Sequence, residues 1–274
     1  MRHLVGFFIL ISLVTSCKKS PVAPRVAKTE LQASALLYNG GREYMDVEQG
    51  GITVSIENTT PLINASNKSV VNNGSVFNIG ESVKLGSFSL ADLPTDLTLV
   101  FSKNGYGEYK QFYKNNGTSV YDYQSKQAYS SVADINPSPT LGMKSNVVVN
   151  SFSMQVVDSS IYIHCNISTS SAKNNYIRLF MQANNPNLSL GTVPKVENVN
   201  MSDVLPVGNG DNTIRMCAKC LKECMHISAG TLLYVIAYGD SPITNRYENP
   251  NTGEVVLPNL NRTKYVAPVS FIVP

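Results

Sequence analysis

Tryptophan is absent from this 274-residue chain, histidine occurs three times, and charged side chains make up only 15% of it, against a usual share of about 25%. Each shortage closes off chemistry. Without tryptophan, any aromatic platform has to be assembled from the 14 tyrosines or 9 phenylalanines. His3 sits in the N-terminal segment, so His164 and His226 are the imidazoles left to act as a base or metal ligand. The net charge is +3 and the one basic cluster is Lys18-Lys19, so the basic face of a nucleic-acid binder is missing. No Gly-x-Ser-x-Gly, phosphate-binding loop, dinucleotide fingerprint or His-Glu-x-x-His occurs. Aspartate and glutamate are scattered through turn-like stretches rather than grouped. The inventory argues against an enzyme and calls for no cofactor or nucleic-acid partner.

What is present begins at the N-terminus. Arg2 and His3 precede an apolar run over residues 4–14, and Thr15-Ser16-Cys17 leads into polar Lys18-Lys19-Ser20. These are the basic, apolar and small-residue parts of a secretory signal. The apolar run is too short to span ~30 Å of hydrocarbon, which takes about 20 residues, and no second long apolar run follows. The Leu13-to-Cys17 stretch resembles the lipobox of bacterial lipoproteins, in which the cysteine is acylated and becomes the new N-terminus. The resemblance implies a signal peptide over 1–16, lipidation at Cys17, and a location at the outer membrane, with the periplasmic or cell-surface face left open. One acyl chain holds marginally and two or more hold stably; lipoproteins of this kind carry three. Residues 17–29, with Pro21 and Pro24 and no periodic pattern, read as a disordered tether.

Beyond the tether the composition is that of a β protein, rich in β-branched residues, tyrosine, asparagine and turn formers. Residues 51–57 alternate strictly, with Ile52, Val54 and Ile56 on one face and Thr53, Ser55 and Glu57 on the other, the mark of a half-buried strand. Residues 31–38, 70–71, 76–79, 86–90 and 97–101 read as further short strands separated by turn signals, a spacing that fits a sandwich. Gly51 to Thr59, Gly86-Ser87-Phe88, Leu93-Pro94 and Lys103-Asn104-Gly105-Tyr106 together resemble the carboxypeptidase regulatory-like domain, a transthyretin-like β-sandwich. The likeness covers roughly residues 30–113. It departs from the family at Asp96, where the family usually has glycine, and at a long insert over 61–81. It implies a fold and no activity, and places Gly105 at a turn position with positive φ.

Residues 114–136 show no sustained period. Tyr113, Tyr121, Tyr123 and Tyr129 fall there among small polar residues, as candidates for stacking on sugar rings or for ordinary packing. Pro137 and Pro139 interrupt strand pairing and mark a boundary between a sandwich over 30–136 and a second over 137–274. In the second, strands are expected over 147–157, 160–167, 176–182, 231–239 and 265–273. The arrangement reads as immunoglobulin-like or fibronectin-like. The fold class is therefore all-β, two β-sandwiches after a lipoprotein signal.

Four cysteines remain besides Cys17: Cys165, Cys217, Cys220 and Cys224. Residues 217–224 favour a short helix, which puts Cys217, Cys220, Leu221 and Cys224 on one face and His226 on the far side. Three readings stay open: disulfides within the cluster or to Cys165, buried free thiols, and a zinc or redox site using Cys217, Cys220, Cys224 and His226. Export and an even number of thiols lead us to expect at least one disulfide among the four.

The functional expectation is a non-catalytic, lipid-anchored envelope protein resembling outer-membrane lipoproteins of Bacteroidota, acting in binding, adhesion or scaffolding. Its partners would be the membrane, through the lipid, and an envelope protein or a glycan. The alternatives are a glycan-binding accessory lipoprotein of an outer-membrane uptake system, a fimbrial anchor or subunit, and a metal or redox protein centred on Cys217 to His226.

Overall fold

Alternating burial along short strands organises the chain, in a computed structural model that describes residues 27–38, 52–57, 70–71, 83–170, 175–190, 199–264 and 266–274. The leader, Cys17 and nearly all of the 61–81 insert lie outside the described residues. The first half contains β1 (Thr29–Ala33), β2 (Leu36–Tyr38), β3 (Thr53–Glu57), β4 (Val70–Val71), β5 (Val83–Phe88), β6 (Asp96–Ser102), β7 (Tyr109–Asn115), β8 (Val120–Asp122), β9 (Gln127–Tyr129) and β10 (Thr140–Gly142). Strands β4-β3-β6-β7-β8-β9 form one six-stranded antiparallel sheet. Two small pairs face it: β1 with β5, antiparallel, and β2 with β10, parallel.

The inward positions follow the two-residue period of a strand. Val54 and Ile56 of β3 sit opposite Phe101 and Leu99 of β6, and all four are buried. They pack with Leu31, Ala33, Leu37 and Leu85 from the facing pairs. Ile52, Val54 and Ile56 are buried while Glu57 is exposed, as the alternation predicts. Gly105 turns the chain at φ 79°, and the neighbouring Tyr106 is buried in the core.

The segment after β9 is not a free linker. Ile135 and Pro137 are buried and Asn136 and Ser138 exposed, the alternation of a strand. Prolines cannot donate to a ladder, but their carbonyls still accept: Ser34 N donates to Pro137 O and Leu36 N to Pro139 O, both at 2.9 Å. The two-proline stretch expected to separate two units is thus bound along β1 and β2.

The second half contains β11 (Val148–Val157), β12 (Ser160–Ser168), β13 (Asn175–Ala183), β14 (Asn200–Met201), β15 (Leu205–Val207), β16 (Gly210–Cys217), the helix α1 (Ala218–Glu223), β17 (Leu232–Asp240), β18 (Tyr247–Glu248), β19 (Val255–Val256) and β20 (Val269–Ile272). A three-stranded sheet, β11-β12-β16, packs on a five-stranded sheet built on β13, β17 and β20, with β14 and β15 both paired to β13. Ile161, Ile163, Cys165 and Ile167 face Ile177, Leu179, Met181, Leu233, Val235 and Ala237 across this core. The opposite side of β13 and β17 is covered too, where Phe180, Ile236 and Tyr238 meet Leu188, Leu190 and Leu257. A strand buried on both faces reads as a continuous apolar run, which is why residues 232–239 scarcely alternate. Strand β16 and the pairs β14 and β15 were not legible beforehand, because β16 reads Gly-Asp-Asn-Thr-Ile-Arg-Met-Cys and its inward side is half-buried at an edge.

The two halves meet through a polar seam. Asn245, buried and at φ 48°, accepts from Gly142 N at 2.6 Å and donates to Thr140 O at 3.1 Å. Asn259, with no exposed surface, donates to Asn245 Oδ1 at 2.8 Å and also to Ile243 O. Tyr247 then reaches into the first core, with ring centroids 6.2 Å from Tyr109 and 6.0 Å from Phe112.

Gly142 lies where a β-carbon would come within 2.5 Å of Ile243 O and 2.8 Å of Asn259 Nδ2. Backbone cannot yield as a side chain can, so Gly142→Ala should destabilise by about 1–3 kcal/mol or more. Gly208→Ala, whose nearest neighbour would be Asn212 Oδ1 at 3.7 Å, should cost little. Denaturant unfolding of both variants measures the difference, and equal stabilities would contradict the tight seam.

Candidate functional site

The six-stranded sheet changes character toward its β9 end. The inward positions of β7 run Tyr109, Gln111, Tyr113 and Asn115, and cross-strand pairing sets Asp122 beside Tyr113 and Gln127 beside Asp122. Polar side chains on an inner face have to be hydrogen-bonded, and these are. Asn115 Nδ2 donates to Leu90 O at 2.8 Å and Leu93 O at 2.9 Å. Asp122 is 2% exposed. Its Oδ2 accepts from Gln111 Nε2 at 2.8 Å and Ser125 Oγ at 2.9 Å, and its Oδ1 from Gln124 N at 2.8 Å. The carboxylate therefore folds the 122–125 turn over the end of the sheet.

Between this face and residues 134–139 lies a cleft of ≈ 290 Å³. Its sheet side presents Tyr109, Gln111, Tyr113, Asp122 and Tyr129, and its other wall Asp134, Asn136 and Ser138 with the two prolines. Tyr129 Oη lies 3.3 Å from Ser125 Oγ, which fixes the ring beside the turn. Burial, reinforced by the Asp122 charge, pushes the Tyr109 phenol up to about 12 and raises that of Tyr113 further above the ordinary tyrosine value. Both phenols keep their protons at neutral pH and remain hydrogen-bond donors. The cleft thus combines aromatic rings, amides, hydroxyls and carboxylates, with no lysine, arginine or histidine among the described residues that line it.

The four tyrosines expected as stacking candidates do not share a surface. Tyr113 is 2% exposed and belongs to the wall of the cleft rather than the exterior. Tyr129 is half-buried at its rim. Tyr121 and Tyr123 lie on the outer face, 39% and 38% exposed, in an edge-on pair with centroids 5.3 Å apart. Tyr121 is registered with Lys114 of β7, which is ion-paired to Asp96 at 2.8 Å. The split is the period of a strand: Tyr121 and Asp122 are adjacent in sequence and so point to opposite faces. Gln111, Asp122, Ser125, Asp134, Asn136 and Ser138 were missed from sequence; the signal available was a carboxylate at an otherwise inward position.

Cys165, Cys217, Cys220 and Cys224 are free thiols here. Of the pairings left open, a bridge from Cys165 to Cys217 is excluded by register. Cys165 pairs with Asn212 while Cys217 pairs with Ser160, five rows away, or about 16 Å along the strands. A disulfide needs α-carbons within about 7 Å. The two side chains also point to opposite faces of β12 and β16, Cys165 to the core and Cys217 to solvent. The helix forms as expected, but its buried residues are Ala218 and Leu221, so Cys217, Cys220 and Cys224 are not the buried thiols of the second reading. The Cys220 thiol is raised by desolvation and by the neighbouring Cys224 and Cys217. Among the described residues, no three of histidine, cysteine, aspartate and glutamate are placed to hold a metal ion, Cys217, Cys220, Cys224 and His226 included.

No protein-family model and no curated protein sequence matches this chain. Among solved structures it is similar to a Bacteroides uniformis ATCC 8492 protein provisionally described as carbohydrate-binding, at 8% identity over 88% of this chain and 98% of that one, with a TM-score of 0.25. It is also similar to a DUF3823 family protein from Bacteroides ovatus ATCC 8483, at 11% identity over 90% and 100% with a TM-score of 0.25. A DUF3823 family protein from Parabacteroides merdae ATCC 43184 follows at 10% identity over 86% and 98%, with a TM-score of 0.23. Likeness at this level does not reach the cleft or an activity.

Thiol placement makes a direct prediction. Burial holds the Cys165 thiol up at about 11, and both low exposure and a low thiolate fraction slow alkylation. With the protein folded and kept reduced, iodoacetamide at pH 8 should label Cys217, Cys220 and Cys224 and spare Cys165 until denaturant is added. Peptide mass spectrometry reads the outcome, and early labelling of Cys165 would contradict its position in the core.

Proposed function

We propose that this chain is a lipid-anchored, non-catalytic protein of the outer membrane that binds a glycan unit in the cleft between β7–β9 and residues 134–139. The observation that carries the reading is the cleft's lining: Tyr109, Tyr113 and Tyr129 beside Gln111, Gln124, Ser125, Asn136 and Ser138. A sugar offers apolar C–H patches to aromatic rings and hydroxyls to amides and hydroxyls, and ligand clefts combine such surfaces with a few fixed polar groups. A volume of ≈ 290 Å³ lies at the small end of the ~300–1,000 Å³ usual for ligand clefts, suited to one sugar residue of a longer chain.

The lining supports binding more than catalysis. Both Asp122 oxygens already accept hydrogen bonds from Gln111, Gln124 and Ser125, which commits them to holding the turn. His164 and His226 belong to the second half, His164 on β12 and His226 just after α1, so neither lies on the sheet that forms the cleft. Attachment rests on the Leu13-to-Cys17 stretch; among the described residues no helix is long and apolar enough to cross a membrane. A role beside an outer-membrane glycan-uptake system is the finer form of this reading.

Two measurements test it. Cys17→Ala should release the protein from the membrane fraction or leave an uncleaved precursor; unchanged fractionation would remove the anchor from the account. In affinity electrophoresis against a polysaccharide panel, Tyr129→Ala and Gln111→Ala should weaken retardation about tenfold or more, the equivalent of ~1.4 kcal/mol, and Tyr121→Ala should not. The reverse pattern would move binding to the outer tyrosine pair.

A further inference from the structure

We propose that the cleft selects ligands carrying a protonated amine, an amino-sugar unit in particular, over neutral and acidic ones; this rests on the glycan-binding reading of the same cleft. Asp122 is 2% exposed, and its three hydrogen-bond donors, Gln111 Nε2, Gln124 N and Ser125 Oγ, are all neutral. Asp134 stands on the facing wall. Among the described residues neither carboxylate is in an ion pair and the lining holds no basic side chain.

This is a departure from the rest of the molecule. Asp240 is paired with Arg178 at 2.5 Å, Asp96 with Lys114 at 2.8 Å, Glu57 with Lys110 at 2.5 Å and Asp92 with Lys28 at 3.2 Å. The buried one of those carboxylates, Asp240, is held by a guanidinium, as burial of a charge requires. In the cleft, a carboxylate as deeply buried has no cation beside it among the described residues.

The rings add to the same field. Tyr109, Tyr113 and Tyr129 line the space, and aromatic faces attract cations, more strongly when water is excluded. The exposed Asp134 carboxylate and the π-faces together are complementary to an ammonium group, which brings its own hydrogen-bond donors, while Asp122, its oxygens already bonded, acts through its charge alone. The exposed Asn136 and Ser138 hydroxyl and amide groups on the facing wall are left to meet sugar hydroxyls. A uronic-acid or sulfated residue would put a further anion against Asp122 and Asp134 in a site whose described lining offers no cation to offset it.

Calorimetric titration of the detergent-solubilised full chain with three probes at pH 6 tests the proposal: a glucosamine hexamer, its fully N-acetylated counterpart and a galacturonic acid hexamer. The glucosamine hexamer should bind about tenfold or more tighter than the N-acetylated one, with galacturonate weakest, and 0.5 M salt should narrow the gap. Asp134→Asn, at an exposed position that leaves the turn intact, should remove most of the preference. Tyr129→Ala should weaken both. Equal affinity for the amine and its N-acetylated form, or a preference that survives Asp134→Asn, overturns the inference and leaves the glycan-binding reading standing. Absence of binding by all three probes overturns both.

Discussion

The first half of this protein depends on how a proline-containing segment is held. Residues 135–139 cannot form a regular ladder strand, because Pro137 and Pro139 have no N–H to give. Their carbonyls nevertheless accept from Ser34 and Leu36, while Ile135 and Pro137 drop into the core. The segment is thus fixed along β1 and β2 through alternate carbonyls. The residues between, Asn136 and Ser138, are exposed and line the cleft. The carbonyls of two prolines therefore hold in place one wall of a cavity with a mixed aromatic and polar lining.

The other wall depends on a buried carboxylate. Asp122 organises the 122–125 turn through Ser125 and the Gln124 backbone and orients Gln111 from the neighbouring strand. A buried, hydrogen-bonded anion is costly to desolvate, and an amide of the same shape could satisfy part of the same geometry. The presence of a charge, in a cleft otherwise neutral or acidic, is what gives the site its electrostatic direction. Behind it, the Gly142, Asn245 and Asn259 seam and the Tyr247 ring tie the second half of the chain to Tyr109 and β10, so the cleft rests on residues from both halves.

Much of the architecture was legible in the residue order. Strict alternation over 51–57 set that strand and its inward face, and the strands expected over 160–167 and 231–239 are present as β12 and β17. Strand β16 was not legible, because an edge strand buries half a face and its Asp-Asn-Thr-Arg content looks like a loop. The status of 135–139 was not legible either: proline reports what a segment cannot donate, and says nothing of what its carbonyls accept. The tyrosines stand out in the sequence by residue type, which does not assign them to a face. That assignment needs the register of β7 with β8, which puts Tyr113 and Asp122 inside and Tyr121 outside. Spacing in sequence likewise does not show that Cys165 and Cys217 occupy distant rows of one ladder.

The central claim is that the cleft, and not the outer tyrosine pair, is where ligand sits. A crystal structure of the protein soaked or grown with an oligosaccharide that it retains tests this most directly. The account predicts one sugar residue between Tyr129 and the Asn136–Ser138 wall, within hydrogen-bond distance of Gln111 or Gln124. A sugar stacked on Tyr121 and Tyr123, with the cleft occupied by water alone, would contradict it.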